Sequence, residues 1–261
     1  MDGDLRNVVV IKLGGSVLAG DESYRRAARF LVRRLHKCSG DRFVVVVSAQ
    51  KGVTDELERL ARAITGYPNP RTLDLLWSTG ELRSVALLTL HLEELGVAAV
   101  GLNVQEAGLR FNGAGGGEAT LESLSSEIQG AFDDYSVVVV PGFFGTLASG
   151  TIVSLGRGGS DLSAVLLACE FEAKHCELIK DVAGYFTEDP DTASVAEHLP
   201  WVSYDTALEM ADRGCELIQR VALEAARESS LELVVRGLAD TVAGTVVSTH
   251  ATRERSCVTE T

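Results

Sequence analysis

Several short runs of this chain, at residues 8–13, 43–47, 137–140 and 176–179, are almost wholly apolar and lack the polar alternation of a strand with one wet face. Runs of this kind are buried on both sides, which is how strands sit in a parallel sheet. Parallel strands need crossover connections, and helical periodicity fills the intervals at residues 24–35, 57–64, 84–95, 161–168, 205–213 and 216–228. Further strands are expected at 98–102, 231–235 and 244–247. Strand and helix alternate through most of the chain. The pattern predicts an α/β fold, a three-layer αβα sandwich around a mostly parallel sheet. One domain is expected over residues 1–250, followed by a polar tail at 251–261.

Charge narrows the range of partners. Lys plus Arg number 24 and Asp plus Glu 37, a formal net charge of 24 − 37 = −13. Such a chain is a poor match for nucleic acid or an anionic membrane surface, both of which need basic groups. A local basic site for a small phosphorylated ligand remains open. The apolar runs are far too short to span a bilayer, and residues 1–7 lack the basic start of a secretory signal. The five cysteines are scattered without a C-x-x-C pair, as in a cytoplasmic protein with reduced thiols, and no metal-ligand spacing is present. The five histidines are isolated, which leaves a Ser-His-Asp hydrolase with little support.

Ligands of open α/β sheets bind beyond the carboxyl ends of the strands, and three strand ends carry small or charged residues. Lys12-Leu13-Gly14-Gly15-Ser16 places a lysine before glycines whose N–H groups can form an anion nest, although Gly-Gly after a strand also makes a plain tight turn. Gly156-Arg157-Gly158-Gly159-Ser160-Asp161 offers backbone approach, a guanidinium fork and a carboxylate, and reads equally as a capped helix start. Lys180-Asp181-Val182-Ala183-Gly184-Tyr185 contains an aromatic suited to stacking on a base, or is an acidic surface loop. Ser48-Ala49 with Thr54, and Thr79-Gly80-Glu81, read as caps on loops or helix starts. The glycine-rich stretch 113–117 reads as a surface loop or lid.

Taken together, these motifs resemble the amino acid kinase family, most closely the catalytic domain of aspartate kinases. The matching stretches are Lys12 to Ser16, SAQKGVT at 48–54, Gly80-Glu81, PGFFG at 141–145, LGRGGSD at 155–161 and DVAGYFTEDP at 181–190, within a likeness spanning about residues 7–248. The resemblance implies transfer of the γ-phosphoryl group of ATP, with Mg²⁺ carried on its phosphates, to a carboxylate of an amino-acid substrate. It assigns Lys12 to the transferring phosphate, Asp161 to orienting that lysine, and Gly14, Gly15 and Ser16 to donors around the phosphate. Arg157 would clamp the substrate α-carboxylate and Glu81 its ammonium group, with Thr54 and Ser160 adding hydrogen bonds. Lys180, Asp181 and Tyr185 fall in the nucleotide-binding segment. A homo-oligomer is expected, as is common in the family.

Three departures accompany the likeness. Aspartate kinases usually carry Thr where this chain has Lys180, an Arg where it has Asp191, and a Lys where it has Glu216. Lys180 or Arg220 would then have to supply the missing positive charge. The chain also stops where relatives continue into regulatory ACT domains, so an unregulated kinase is expected. The alternatives are a kinase of another small carboxylate, of carbamate or of UMP, or a non-catalytic binding protein derived from the same fold.

Overall fold

The computed structural model describes residues 7–38, 40–112, 120–123, 126–156, 159–188, 190, 195–239 and 243–250. Arg157, Asp191, the 113–117 stretch and the 251–261 tail lie outside them. The central sheet has eight strands: β1 (Val8–Leu13), β2 (Arg42–Val47), β3 (Ala99–Gly101), β6 (Val137–Pro141), β9 (Cys176–Ile179), β10 (Trp201–Ser203), β11 (Leu233–Arg236) and β12 (Thr245–Ser248). Their order is β10-β12-β11-β9-β1-β2-β6-β3, and every neighbouring pair is parallel except β11 with β12. All six residues of β1 are buried, because β2 and β9 flank it and helices cover both faces.

Side-chain alternation divides the core into two layers. Val8, Val10, Val44, Val46, Val138, Val140 and Leu178 pack against α5 (Gly159–Glu170), α6 (Tyr204–Asp212) and α7 (Arg220–Glu228). Val9, Ile11, Leu13, Val45, Val47, Val139 and Ile179 pack against α1 (Asp21–Lys37) and α3 (Pro70–Glu94). The expected three-layer sandwich is therefore the observed one. Lys12 falls between Ile11 and Leu13, so its side chain leaves the sheet on the α5 side.

Two elements differ from the sequence expectation. Residues 79–81 are not a loop or a helix start but the middle of α3, which runs for 25 residues from an Asn69 cap whose side chain accepts from the Arg71 N–H at 3.0 Å. Gly80 reads as a helix breaker in sequence. Its role here is close packing: a Cβ at this position would lie 3.0 Å from Ala49 Cβ and 3.2 Å from Val53 Cγ1 of α2 (Val53–Ile64). A second, four-stranded sheet was also not expected. It contains β4 (Arg110–Asn112), β5 (Thr120–Ser123), β7 (Phe144–Thr146) and β8 (Ile152–Ser154), in the order β5-β4-β7-β8. Strands of three or four residues are too short to show a period. The remaining helix, α4 (Ser126–Ala131), precedes β6. The four described cysteines are free, and no described helix is long and apolar enough to cross a membrane.

The sheet carries one buried charge cluster on the α1 side. Glu177 of β9 is fully buried, ion-paired with Arg34 of α1, and has His175 Nε2 at 3.0 Å. Burial pushes its carboxyl up, but the His175 hydrogen bond and the charges of Arg34 and Arg236 outweigh this and bring it down to about 2, from 4.5. Removing the carboxylate takes away the buried counter-charge that faces Arg34, so Glu177→Gln is expected to cost about 3–5 kcal/mol of stability near neutral pH. Because the folded value lies below the unfolded one, this contribution is complete above about pH 4.5 and is lost as pH falls toward 2. Urea unfolding of both proteins should show the gap narrowing on acidification.

Candidate active site

Two adjacent strand ends and one helix start converge on a single carboxylate. Lys12 sits one residue before the end of β1, Lys180 directly follows β9, and Asp161 lies in the first turn of α5. Lys12 Nζ is 2.7 Å from Asp161 Oδ1, and Lys180 Nζ is 2.7 Å from Asp161 Oδ2. All three are withdrawn from water, with side-chain exposures of 7% for Lys12, 4% for Asp161 and 14% for Lys180. Burial alone would push the Asp161 carboxyl up, but the two ammonium groups hold it below its ordinary value, so it is ionised. Burial pushes the Lys180 ammonium down, against the pull of Asp161.

Beside this group runs the loop after β1. Gly15 is required there, since a Cβ would stand 2.6 Å from the Ala49 carbonyl oxygen. The Gly14 N–H is committed to the Ile179 carbonyl at 3.3 Å, which removes it from the expected set of phosphate donors. Among the described residues, the N–H groups of Gly15 and Ser16 make no hydrogen bond, so two consecutive donors remain for an anion.

A cavity of about 390 Å³ opens on one flank. It brings together Thr54, Glu81 and Ser160, three of the four residues expected to hold the substrate, with Ser48, Trp77 and Phe143. Ser48 and Ser160 hydroxyls are 2.9 Å apart. Glu81 is 3% exposed; its Oε1 accepts from the Ala49 N–H at 3.1 Å, and its Oε2 has no partner among the described residues. Burial raises its carboxyl to about 7, with the Ala49 hydrogen bond opposing. A buried carboxylate with an open oxygen is a seat for a cation.

A second cavity, about 670 Å³, is lined by Ser16, Lys180 and Asp181 together with Arg26, Arg29 and Arg33 of α1. Tyr185 is not part of it. The tyrosine is 2% exposed in the core, its N–H donates to Thr245 Oγ1 at 2.8 Å, and burial raises its hydroxyl. A ring so enclosed has no free face to stack on a base. Its neighbour Phe186, in an isolated bridge with His198, is half-exposed and stands edge-on to that imidazole at 5.3 Å. Arg220 is also removed from the site's charge balance, being paired with Asp212 and, at 3.0 Å, with Glu224.

A sequence model described as the amino acid kinase family matches residues 7–237. The chain belongs to the amino acid kinase family. Among curated relatives, the aspartokinase of Geobacillus stearothermophilus is 36% identical over 251 residues, covering 96% of this chain and 61% of that protein. The family member described here thus spans about three fifths of that relative's length. Among solved structures, aspartate kinase from Synechocystis superposes with a TM-score of 0.81 at 33% identity, covering 96% of this chain and 41% of that one. E. coli aspartokinase III in complex with aspartate and ADP gives a TM-score of 0.74 at 26% identity, covering 92% of this chain and 64% of that one.

Sequence reasoning missed Trp77, Phe143, the α1 arginines and Phe186. Trp77 stands one helical turn before Glu81, with its ring centroid 6.2 Å from that of Phe143 and its Nε1 without a partner among the described residues. The i, i+4 relation to Glu81 is visible only when the helix is continued through Gly80.

Glu81 makes the apo protein's stability depend on pH. Its folded value, about 7, stands above the unfolded 4.5, so the proton is held more tightly in the folded chain. Stability should fall as pH rises from about 4.5 to about 7, by about 2–3 kcal/mol, and then level off. Glu81→Gln should lack this fall. Urea unfolding of the two proteins at about pH 5 and pH 8 checks it.

Proposed function

We propose that this chain transfers the γ-phosphoryl group of ATP to the side-chain carboxylate of aspartate or a closely related amino acid. A carboxylate oxygen of the acceptor forms the new bond to phosphorus as the bond to the bridging oxygen breaks, giving an acyl phosphate and ADP. The observation that carries this reading is the Lys12–Asp161–Lys180 group, with Asp161 next in sequence to Ser160 of the 390 Å³ cavity and Lys12 three residues before the free N–H of Gly15. Phosphoryl transfer asks mainly for positioning and charge neutralisation. Asp161 is engaged by both lysines and serves to orient them; the acceptor carboxylate is ionised at neutral pH and needs no base.

Glu81 supports an amino acid as the acceptor. Its open Oε2 suits an α-ammonium group, while Thr54 and Ser160 offer hydroxyls and Arg157 remains the proposed partner of the α-carboxylate. The same acid disfavours UMP, because an ionised carboxylate beside a nucleotide phosphate is repulsive. The described residues include no cluster of three or more His, Cys, Asp or Glu able to cage a metal. Mg²⁺ would arrive on the ATP phosphates.

Incubation with Mg-ATP, aspartate and hydroxylamine should yield the aspartyl hydroxamate; no hydroxamate above background from folded protein would sink the proposal. Glu81→Gln should raise KM for aspartate roughly 10- to 100-fold, as loss of a charged hydrogen bond does. In the wild type, KM for aspartate should fall as pH rises through about 7, as Glu81 ionises.

Self-association is part of the same proposal. Leu75, Leu82 and Leu90 lie along one exposed stripe of α3, with exposures of 57%, 46% and 60%, and a face repeated about a two-fold axis buries such a stripe against itself. Sedimentation should show a dimer that Leu82→Glu with Leu90→Glu converts to monomer; a wild-type monomer at micromolar concentration would refute it.

A further inference from the structure

We propose that Lys180 is a second catalytic lysine, contacting the transferring phosphoryl group from the end of β9 while Lys12 contacts it from β1, with Asp161 holding both ammonium groups. The proposal rests on the phosphoryl-transfer reading above. Its basis is a surplus of buried charge. Asp161 already has a complete ion pair in Lys12 at 2.7 Å, on Oδ1. Lys180 takes the other oxygen at 2.7 Å, which leaves the three-residue group with one net positive charge while its side chains are largely withdrawn from water. A second buried ammonium is not needed to neutralise Asp161, and desolvating it is unfavourable unless an anion completes the set.

Position points the same way. Lys12 and Lys180 leave neighbouring parallel strands and meet at one carboxylate, so the spacing of the two cations is fixed by the sheet and not by flexible loops. Lys180 is the more accessible of the two and lines the 670 Å³ cavity with Ser16, whose N–H is one of the two free donors. Arg220, the other cation that the sequence offered as compensation, is engaged with Asp212 and Glu224. Burial weakens the hold of Lys180 on its proton, and a phosphate oxygen arriving opposite Asp161 would restore it.

The test compares wild type with Lys180→Met, Lys180→Thr and Lys180→Arg. Calorimetric affinities for Mg-ATP, Mg-ADP and AMP, and the rate of ADP formation, are measured on each. The expected result is a loss on the order of 100-fold in ATP affinity or turnover for Met and Thr. AMP binding should change little, and Arg should recover most of the loss. Unchanged ATP affinity and turnover in Lys180→Met or Lys180→Thr would overturn the proposal. An equal loss for ATP and AMP would overturn it too, because a merely structural lysine would act on both. If the wild type binds Mg-ATP but phosphorylates no amino acid, the acceptor assignment fails while the nucleotide series still decides Lys180. If it binds no nucleotide, both fail.

Discussion

One buried carboxylate organises the functional end of this protein. Asp161 is ionised although it is almost fully withdrawn from water, which is tolerable only because two ammonium groups stand against its two oxygens. Its place in the first turn of α5 adds the favourable end of the helix dipole. That arrangement ties three elements together. β1 must end beside β9, as the parallel register gives it, and α5 must start over the same two strands. The loop after β1 must also pass close to Ala49, which the missing side chain of Gly15 allows. Were Asp161 absent, Lys12 and Lys180 would be left as close, buried like charges.

Much of this was legible in the chain. Apolar runs such as Val8 to Leu13 announce buried strands, and residues at the carboxyl ends of parallel strands are where chemistry is expected. Lys12, Asp161 and Lys180 are each found from that logic, and burial then shows that they act on one another. Other features were hidden for physical reasons. Gly80 carries the signal of a breaker, yet the helix continues through it because tertiary contact with Ala49 and Val53 outweighs propensity. The short strands of the second sheet have no measurable period. Tyr185 was expected to face the nucleotide, but its ring is buried in the core, while the neighbouring Phe186 is half-exposed. Gly14 was expected to donate to phosphate, and its N–H is taken by the Ile179 carbonyl.

The long helix that sequence reading divided is also what gives the acceptor cavity its character. A carboxyl at a loop would be solvated and ordinary. Glu81, held mid-helix against the Ala49 N–H, is dry, with one oxygen satisfied and the other open. Trp77, one turn earlier, and Phe143 add an apolar wall that lowers the local dielectric. In such surroundings a charged partner is favoured far more strongly than it would be in water, and one of the wrong sign is rejected as strongly. If the proposed acceptor binds here, the cavity would select by polarity as well as by size.

The overall charge of −13 stands in opposition to the proposed triphosphate ligand, and the distribution of charge in the fold offsets it. Arg26, Arg29 and Arg33 recur along one face of α1, where they line the same cavity as Lys180. Among the described residues lining that cavity, Asp181 is the single acid set against four cations. A cleft lined mainly by one sign of charge focuses the field within it, whatever the sign of the surface beyond a Debye length. The acidic total keeps polyanions such as nucleic acids off the general surface, while a compact phosphate that reaches the strand ends meets a local excess of positive charge. For the proposed kinase, selectivity for a small nucleotide over a polymeric one would follow from where the cations are, not from how many the chain contains.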